Sequence, residues 1–153
     1  MTMKPIKTAR LVLRSLDLAD EKELFLLRSN DRVNQYLDRA TFESNKEAAT
    51  FIKKLIKGVE QQKWYYWAIC LKDTNLLIGT VCLWDFSEDK KSAELGYEML
   101  PKHYGNGFMQ EALNVIIPFA FQTIHLKELL AYTHIENKPS IALLKRNKFT
   151  QKL

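Results

Sequence analysis

The strongest periodicity in the chain lies between Met109 and Ile124. Met109, Ala112, Leu113, Ile116, Ile117, Ala120, Phe121 and Ile124 recur at steps of three and one, the spacing of one helix face. So broad an apolar face must lie against another layer of structure. Pro118 falls inside the run, removes a backbone donor and predicts a kink. The flanking stretches, Ala93 to Leu100 and Glu128 to Ile135, read as strands. A helical crossover joining two strands of one sheet makes them parallel.

The remaining elements follow the same logic. Arg10-Leu-Val-Leu-Arg-Ser-Leu16 alternates as a first strand, and Asp17 reads as the N-cap of a helix over about 18–29. The stretch Asn30 to Phe42 lacks a clear period and reads as a loop with a short helical turn. Ser44 and Glu47 have capping-box spacing before a helix whose face carries Ala48, Phe51, Ile52, Leu55, Ile56 and Val59. Trp64 to Leu71 and Leu76 to Phe86 are strands around the turn Asp73-Thr74-Asn75, and Ala93 to Leu100 completes an antiparallel meander. Both faces of these strands are apolar, so the sheet should be covered on both sides. A last helix spans about 139–147, with Pro139 in its first turn. The order is that of a single α+β domain over 1–153 on a mixed, mostly antiparallel sheet.

Composition narrows the class. The 153 residues are 46% apolar and 27% charged, the ordinary globular balance. The apolar runs, Trp64 to Leu71 and Val115 to Phe121 with Pro118 inside it, are far short of the roughly 18 residues of a membrane span. The N-terminus has no apolar signal core, and Cys70 and Cys82 lie within strands as reduced thiols, so a cytoplasmic protein is expected. With 23 Lys+Arg against 18 Asp+Glu the net charge is +5, a lean toward anionic partners. The basic residues are scattered, which disfavours nucleic acid as a partner. His103, His125 and His134 share no metal-ligand spacing, and no metal is expected. No Ser/His/Asp or Cys/His nucleophile arrangement can be argued.

Chemistry concentrates in Leu100-Pro-Lys-His-Tyr-Gly-Asn-Gly-Phe-Met-Gln-Glu-Ala-Leu113. A strand ends, a loop carrying Gly105 and Gly107 follows, and a helix opens at once. Such a loop lets backbone N–H groups and the positive helix end meet a phosphate. On the glycines alone, a simple turn is the better reading. Residues 108–110 are Phe-Met-Gln, without the third glycine of a dinucleotide fingerprint, and no Gly-Lys-Ser/Thr is present.

Three segments in order carry a resemblance: Ala93-Glu-Leu-Gly-Tyr97, Pro101 to Leu113, and Asn137-Lys-Pro-Ser140 leading to Phe149. Together they resemble the GNAT N-acetyltransferases, within them the RimJ/RimL-like ribosomal-protein N-terminal acetyltransferases. The resemblance runs from Arg10 to Phe149. It implies a GNAT-like sheet with helices on both faces and acetyl-CoA as cosubstrate. Gly105, Asn106, Gly107, Phe108 and Met109 would cradle the pyrophosphate with backbone amides. Met99 and Leu100 would bond the pantetheine as an added strand does. Asn137 and Ser140 would face pantetheine and thiol, with Ser140 as proton donor to the leaving thiolate. The tyrosine used by many relatives for that step would fall at Leu144, which cannot serve. Ser140 as an ordinary first-turn helix residue is the competing reading.

The acceptor amine must lose a proton, with help from a base. Glu94 and Glu98 share a strand face, and Asp85 is a third candidate; Glu94 is preferred because it matches the family pattern. Asn34, Tyr36, Trp84 and Tyr97 are the expected groove walls, although Trp84 also reads as a core aromatic. His103 is read as a phosphate neighbour, and His125 and His134 as structural. The implied acceptor is a protein or peptide N-terminal amine; a small amine is the alternative, as is a CoA-binding module with lost or weak catalysis. Three departures stand out: Lys102 in place of Gln or Arg, no glycine before Phe149, and four residues after Phe149 where the family continues with a strand pair. The truncated pair would leave an open sheet edge where a second copy could pair into a homodimer.

Overall fold

The alternating stretches of the sequence become the strands of one twisted sheet. The computed structural model describes residues 3–152. Among them six strands lie in sequence order: β1 (Ile6–Lys7), β2 (Leu11–Arg14), β3 (Tyr65–Leu71), β4 (Leu77–Trp84), β5 (Ser92–Met99) and β6 (Glu128–Leu130). All neighbours are antiparallel except β5 and β6, which are parallel. The two-residue β1 is too short to leave a pattern in the sequence.

Helices cover both faces, as the doubly apolar strands require. On one face α1 (Glu21–Ser29) and α3 (Asn45–Glu60) bury Leu24, Leu27, Ile52 and Leu55 against Ala68, Cys70 and Leu77. On the other, α4 (Phe108–Pro118) and α5 (Lys138–Arg146) bury Leu113, Ile116 and Leu143 against Leu13, Trp67, Val81 and Leu95. Each fully buried Leu or Ile contributes about 1.5–3 kcal/mol relative to exposure.

The expected caps are in place. Asp17 caps a single 3-10 turn, Leu18–Asp20, that leads into α1. Asp20 is buried, returns a bond to the Asp17 N–H, and takes a two-pronged grip from Arg14 at 2.8 and 2.9 Å. Ser44 caps α3. The loop after α1 holds the short helix α2 (Asp31–Asn34).

Three expectations change. Pro118 does not kink the middle of a long helix: α4 ends there, and Phe119–Thr123 forms one wider π turn, because the proline ring disrupts the regular bonding. The strand expected to Ile135 stops at Leu130, since the chain turns away from β5. The exit of α5 keeps a left-handed residue without glycine: Lys148 adopts φ +67°, and the Phe149 N–H bonds the Leu144 carbonyl at 3.0 Å.

Candidate active site

The site is created by a divergence. β5 and β6 pair only from Ser92 to Glu94 against Glu128 to Leu130. Beyond that point the two chains separate, leaving Leu95 to Met99 with an open edge. Adjacent to this wedge, β5 runs through the turn Pro101–His103 into the glycine loop and α4.

Gly105 and Gly107 both have φ +77°, the left-handed region that glycine enters without penalty. Gly107 is the N-cap of the 11-residue α4, and no side chain caps it. The backbone N–H groups of residues 105–110 have no acceptor among the described residues. Several free donors at a positive helix end fit a phosphate group. The loop itself is closed by the Asn106 side chain, which donates to the carbonyls of His103 and Tyr104 at 3.3 and 3.2 Å. Burial and the charge of Lys102 push the His103 imidazole down, so at neutral pH it adds no full charge to the cradle.

A latch missed in the sequence holds this loop. Arg10 Nε donates to Glu111 Oε1 at 2.7 Å and Nη1 donates to the Asn106 carbonyl at 2.9 Å. The guanidinium also covers the Phe108 ring at 4.4 Å. The Arg10 N–H and the Thr8 hydroxyl donate to Glu111 Oε2. Burial pushes the Glu111 carboxyl up, but these bonds outweigh it and leave it below the ordinary carboxylate range. The available signal was Arg10 itself, at the head of the quoted strand motif.

Met99 and Leu100 differ in what they can offer. The Leu100 N–H is given to the Ile78 carbonyl at 2.8 Å, and its carbonyl accepts from the His103 N–H at 3.0 Å. Both Leu100 backbone groups therefore already have a partner within the protein, and only the second lone pair of its carbonyl is left for pantetheine. Backbone directions alternate along a strand, so the groups of Met99 face the open edge.

The two faces of the wedge carry different chemistry. Glu94 pairs across from Trp84 on the α1–α3 face. Burial first, then the charge of Asp85, raises the Glu94 carboxyl above its ordinary value. Trp84 is 42% exposed, so it is a surface aromatic and not a core one. Glu98 shares this face, but Arg39 holds it at 2.7 and 3.2 Å and Arg28 at 3.8 Å, so it is paired with two arginines where Glu94 is paired with none. Asn34 buttresses Arg39, accepting at 3.0 and 2.8 Å, and donates to the Arg28 carbonyl. Tyr36 stacks on His134 with centroids 5.3 Å apart. The segment from Asn34 to Arg39 therefore spans from β5 to the chain beyond β6, and His134 is its far anchor.

Tyr97 lies on the opposite face, with the α4–α5 core, because it is an odd number of residues from Glu94. That separates it from the groove walls expected in the sequence. Its hydroxyl lies 2.7 Å from Ser140 Oγ in the first turn of α5. Asn137 is the N-cap of α5, and its Oδ1 accepts from the Ser140 N–H at 3.4 Å. Among the described residues no cluster of metal-binding side chains and no membrane-length apolar helix occurs.

Residues 10–150 match the acetyltransferase (GNAT) domain family. The chain is 30% identical over 139 residues to YoaA, an uncharacterized N-acetyltransferase of Bacillus subtilis, covering 91% of this chain and 78% of that one. It is also 30% identical over 142 residues to p20, an uncharacterized N-acetyltransferase of Bacillus licheniformis, covering 93% and 80%. RimL, a ribosomal L7/L12 alpha-N-protein acetyltransferase solved with coenzyme A, has the same fold at TM-score 0.87 and 20% identity, over 98% of this chain and 86% of that one. The divergent strands, the uncapped glycine loop and the match from Arg10 to Thr150 agree, and the chain belongs to the GNAT family of acetyltransferases.

Proposed function

We propose that this GNAT acetyltransferase moves the acetyl group of acetyl-CoA directly to the N-terminal amine of a protein or peptide. The observation that carries this reading is the open wedge between β5 and β6, with a raised carboxyl, Glu94, on one face and Ser140 on the other. Acetyl-CoA supplies an activated acetyl thioester. The free amides of Gly105 to Met109 hold its pyrophosphate, and Met99 on the open edge bonds the pantetheine. Asn137 sets the first turn of α5 against it. Glu94 takes a proton from the attacking amine, directly or through water, and its raised pKa matches that task. An N-terminal amine, with a pKa of about 7.7–8.0, needs less help than a lysine at about 10.4. A backbone N–H of the open β5 edge offsets charge growing on the carbonyl oxygen. Ser140 donates to the departing sulfur. Asn34, Tyr36 and Trp84 border the acceptor side. The peptide acceptor also draws on RimL, whose name assigns it a ribosomal protein N-terminus.

The test is a thermal shift with acetyl-CoA, CoA and NAD, followed by thiol release with peptides bearing a free N-terminal amine. A ligand at 100 times its Kd should stabilise the fold by about 2.7 kcal/mol. A shift with acetyl-CoA and none with NAD, then peptide-dependent thiol release, is expected. Binding without release would point to a CoA-binding module, and release only with small amines would overturn the peptide acceptor.

A further inference from the structure

We infer that Tyr97 is the positioning residue that aims the Ser140 hydroxyl into the wedge. The inference rests on the acetyl-transfer reading above and adds a residue to its leaving-group side. Tyr97 and Ser140 come from different elements, β5 and α5, 43 positions apart, yet their oxygens lie 2.7 Å apart. That is the modal distance for an O–H···O bond. Among the described residues the Tyr97 hydroxyl has no other hydrogen-bond partner.

Either hydroxyl can donate in this pair. In the arrangement we infer, the Tyr97 phenol donates and Ser140 Oγ accepts. Burial pushes the Tyr97 hydroxyl up and the bond with Ser140 partly opposes this, so the proton stays on Tyr97 at neutral pH. A serine oxygen that accepts from Tyr97 keeps its own O–H free. The Ser140 amide is fixed by Asn137 Oδ1, so the residue is held at both ends. Its remaining freedom is rotation of the O–H, and Tyr97 removes the orientation that points back toward β5.

The wedge supplies the target. The last β5–β6 pair is Glu94 with Leu130, and Tyr97 sits three residues further along the open part of β5. Leu144, one turn beyond Ser140 on α5, is buried and offers no hydroxyl. Tyr97 thus brings a phenol to this side from the sheet, acting through Ser140 and not on the sulfur itself. No proton leaves Tyr97: the carbon–sulfur bond breaks, the sulfur takes the Ser140 proton or shares it in a hydrogen bond, and Ser140 recovers any proton lost from water.

The experiment is a double-mutant cycle on thiol release from acetyl-CoA, with a decapeptide bearing a free N-terminal amine as acceptor. Tyr97→Phe should lower kcat about ten-fold while the calorimetric Kd for acetyl-CoA stays within two-fold and the melting temperature barely moves. Ser140→Ala should lower kcat at least as much. The double variant should be no slower than Ser140→Ala alone, because Tyr97 acts only through that hydroxyl. A slow Ser140→Ala with a normal Tyr97→Phe would overturn this inference alone. So would additive losses in the double variant. A normal Ser140→Ala, or acetyl-CoA bound by the wild type without thiol release, would overturn the acetyl-transfer roles and this inference with them.

Discussion

Gly105→Ala isolates what backbone conformation contributes to the glycine loop. Gly105 has φ +77°, and a Cβ built there meets no atom within 4 Å. A loss on substitution therefore has no source in packing against other parts of the chain. Placing an L-residue in the left-handed region costs about 1–2 kcal/mol. Alanine recovers about 0.4–1 kcal/mol by restricting the unfolded chain. The net loss is about 1 kcal/mol if the loop keeps its shape, or about 2–4 °C in Tm for a domain of this size. If the loop relaxes, the same energy appears in ligand binding, where about 1 kcal/mol is roughly a five-fold weaker Kd for acetyl-CoA. Asparagine tolerates the left-handed region, and open space surrounds the site, so Gly105→Asn should recover most of the loss. Calorimetry with acetyl-CoA and thermal melts of the three proteins provide the readout. If alanine leaves both Tm and Kd unchanged, or asparagine harms as much as alanine, the conformational reasoning is wrong.

Four shorter predictions test other parts of the site. Glu94→Gln should lower kcat about 100-fold, and Asp85→Asn should move the acid limb of the rate profile to lower pH, because removing the neighbouring charge lets Glu94 ionise sooner; an unmoved limb would exclude Glu94 as the titrating base. Arg10→Ala should weaken acetyl-CoA binding about five-fold through the loosened loop. Its stability cost should stay under about 1 kcal/mol, since half of the side chain faces solvent; a large urea-midpoint shift would show that the latch holds the fold instead. Glu98→Ala leaves Arg28 and Arg39, both mostly buried, without their carboxylate, although Arg39 keeps Asn34, and should cost about 3 kcal/mol in urea unfolding; near-neutral behaviour would show that those arginines find water. Lys148→Gly relieves the left-handed φ of +67° and should raise Tm by about 2–4 °C, or about 1 kcal/mol, while an unchanged Tm would mean that the helix exit carries no strain.

Much of this architecture was legible in one dimension. Periods of two and 3.6 residues located β2, α3 and α4, because each must bury one face; apolar composition between turns located β3 to β5, and the Asp17 cap and Pro139 located α1 and α5. The caps at Asp17 and Ser44 were legible because capping is a local bond within a few residues. Gly105 and Gly107 were legible as a loop, since the left-handed turn they make is a property of glycine. The family resemblance then supplied roles that periodicity could not. What misled was local reading of long-range facts: Trp84 read as core but is exposed, and the strand to Ile135 ended at Leu130.

The sequence by itself determined the layered fold, the glycine loop at the head of α4 and the presence of carboxylates on β5. These follow from side-chain chemistry repeated at helix and strand periods. Only the tertiary structure decided how those carboxylates differ. Glu98 is held by Arg39, 59 residues away, and by Arg28, whereas Glu94 feels burial and Asp85. The structure also decided that Arg10 latches Glu111 across 101 positions and that Tyr97 meets Ser140 across 43. Such pairings depend on where chain closure brings distant segments to within 3 Å. Local pattern carries no record of that distance, because packing of the whole core sets it.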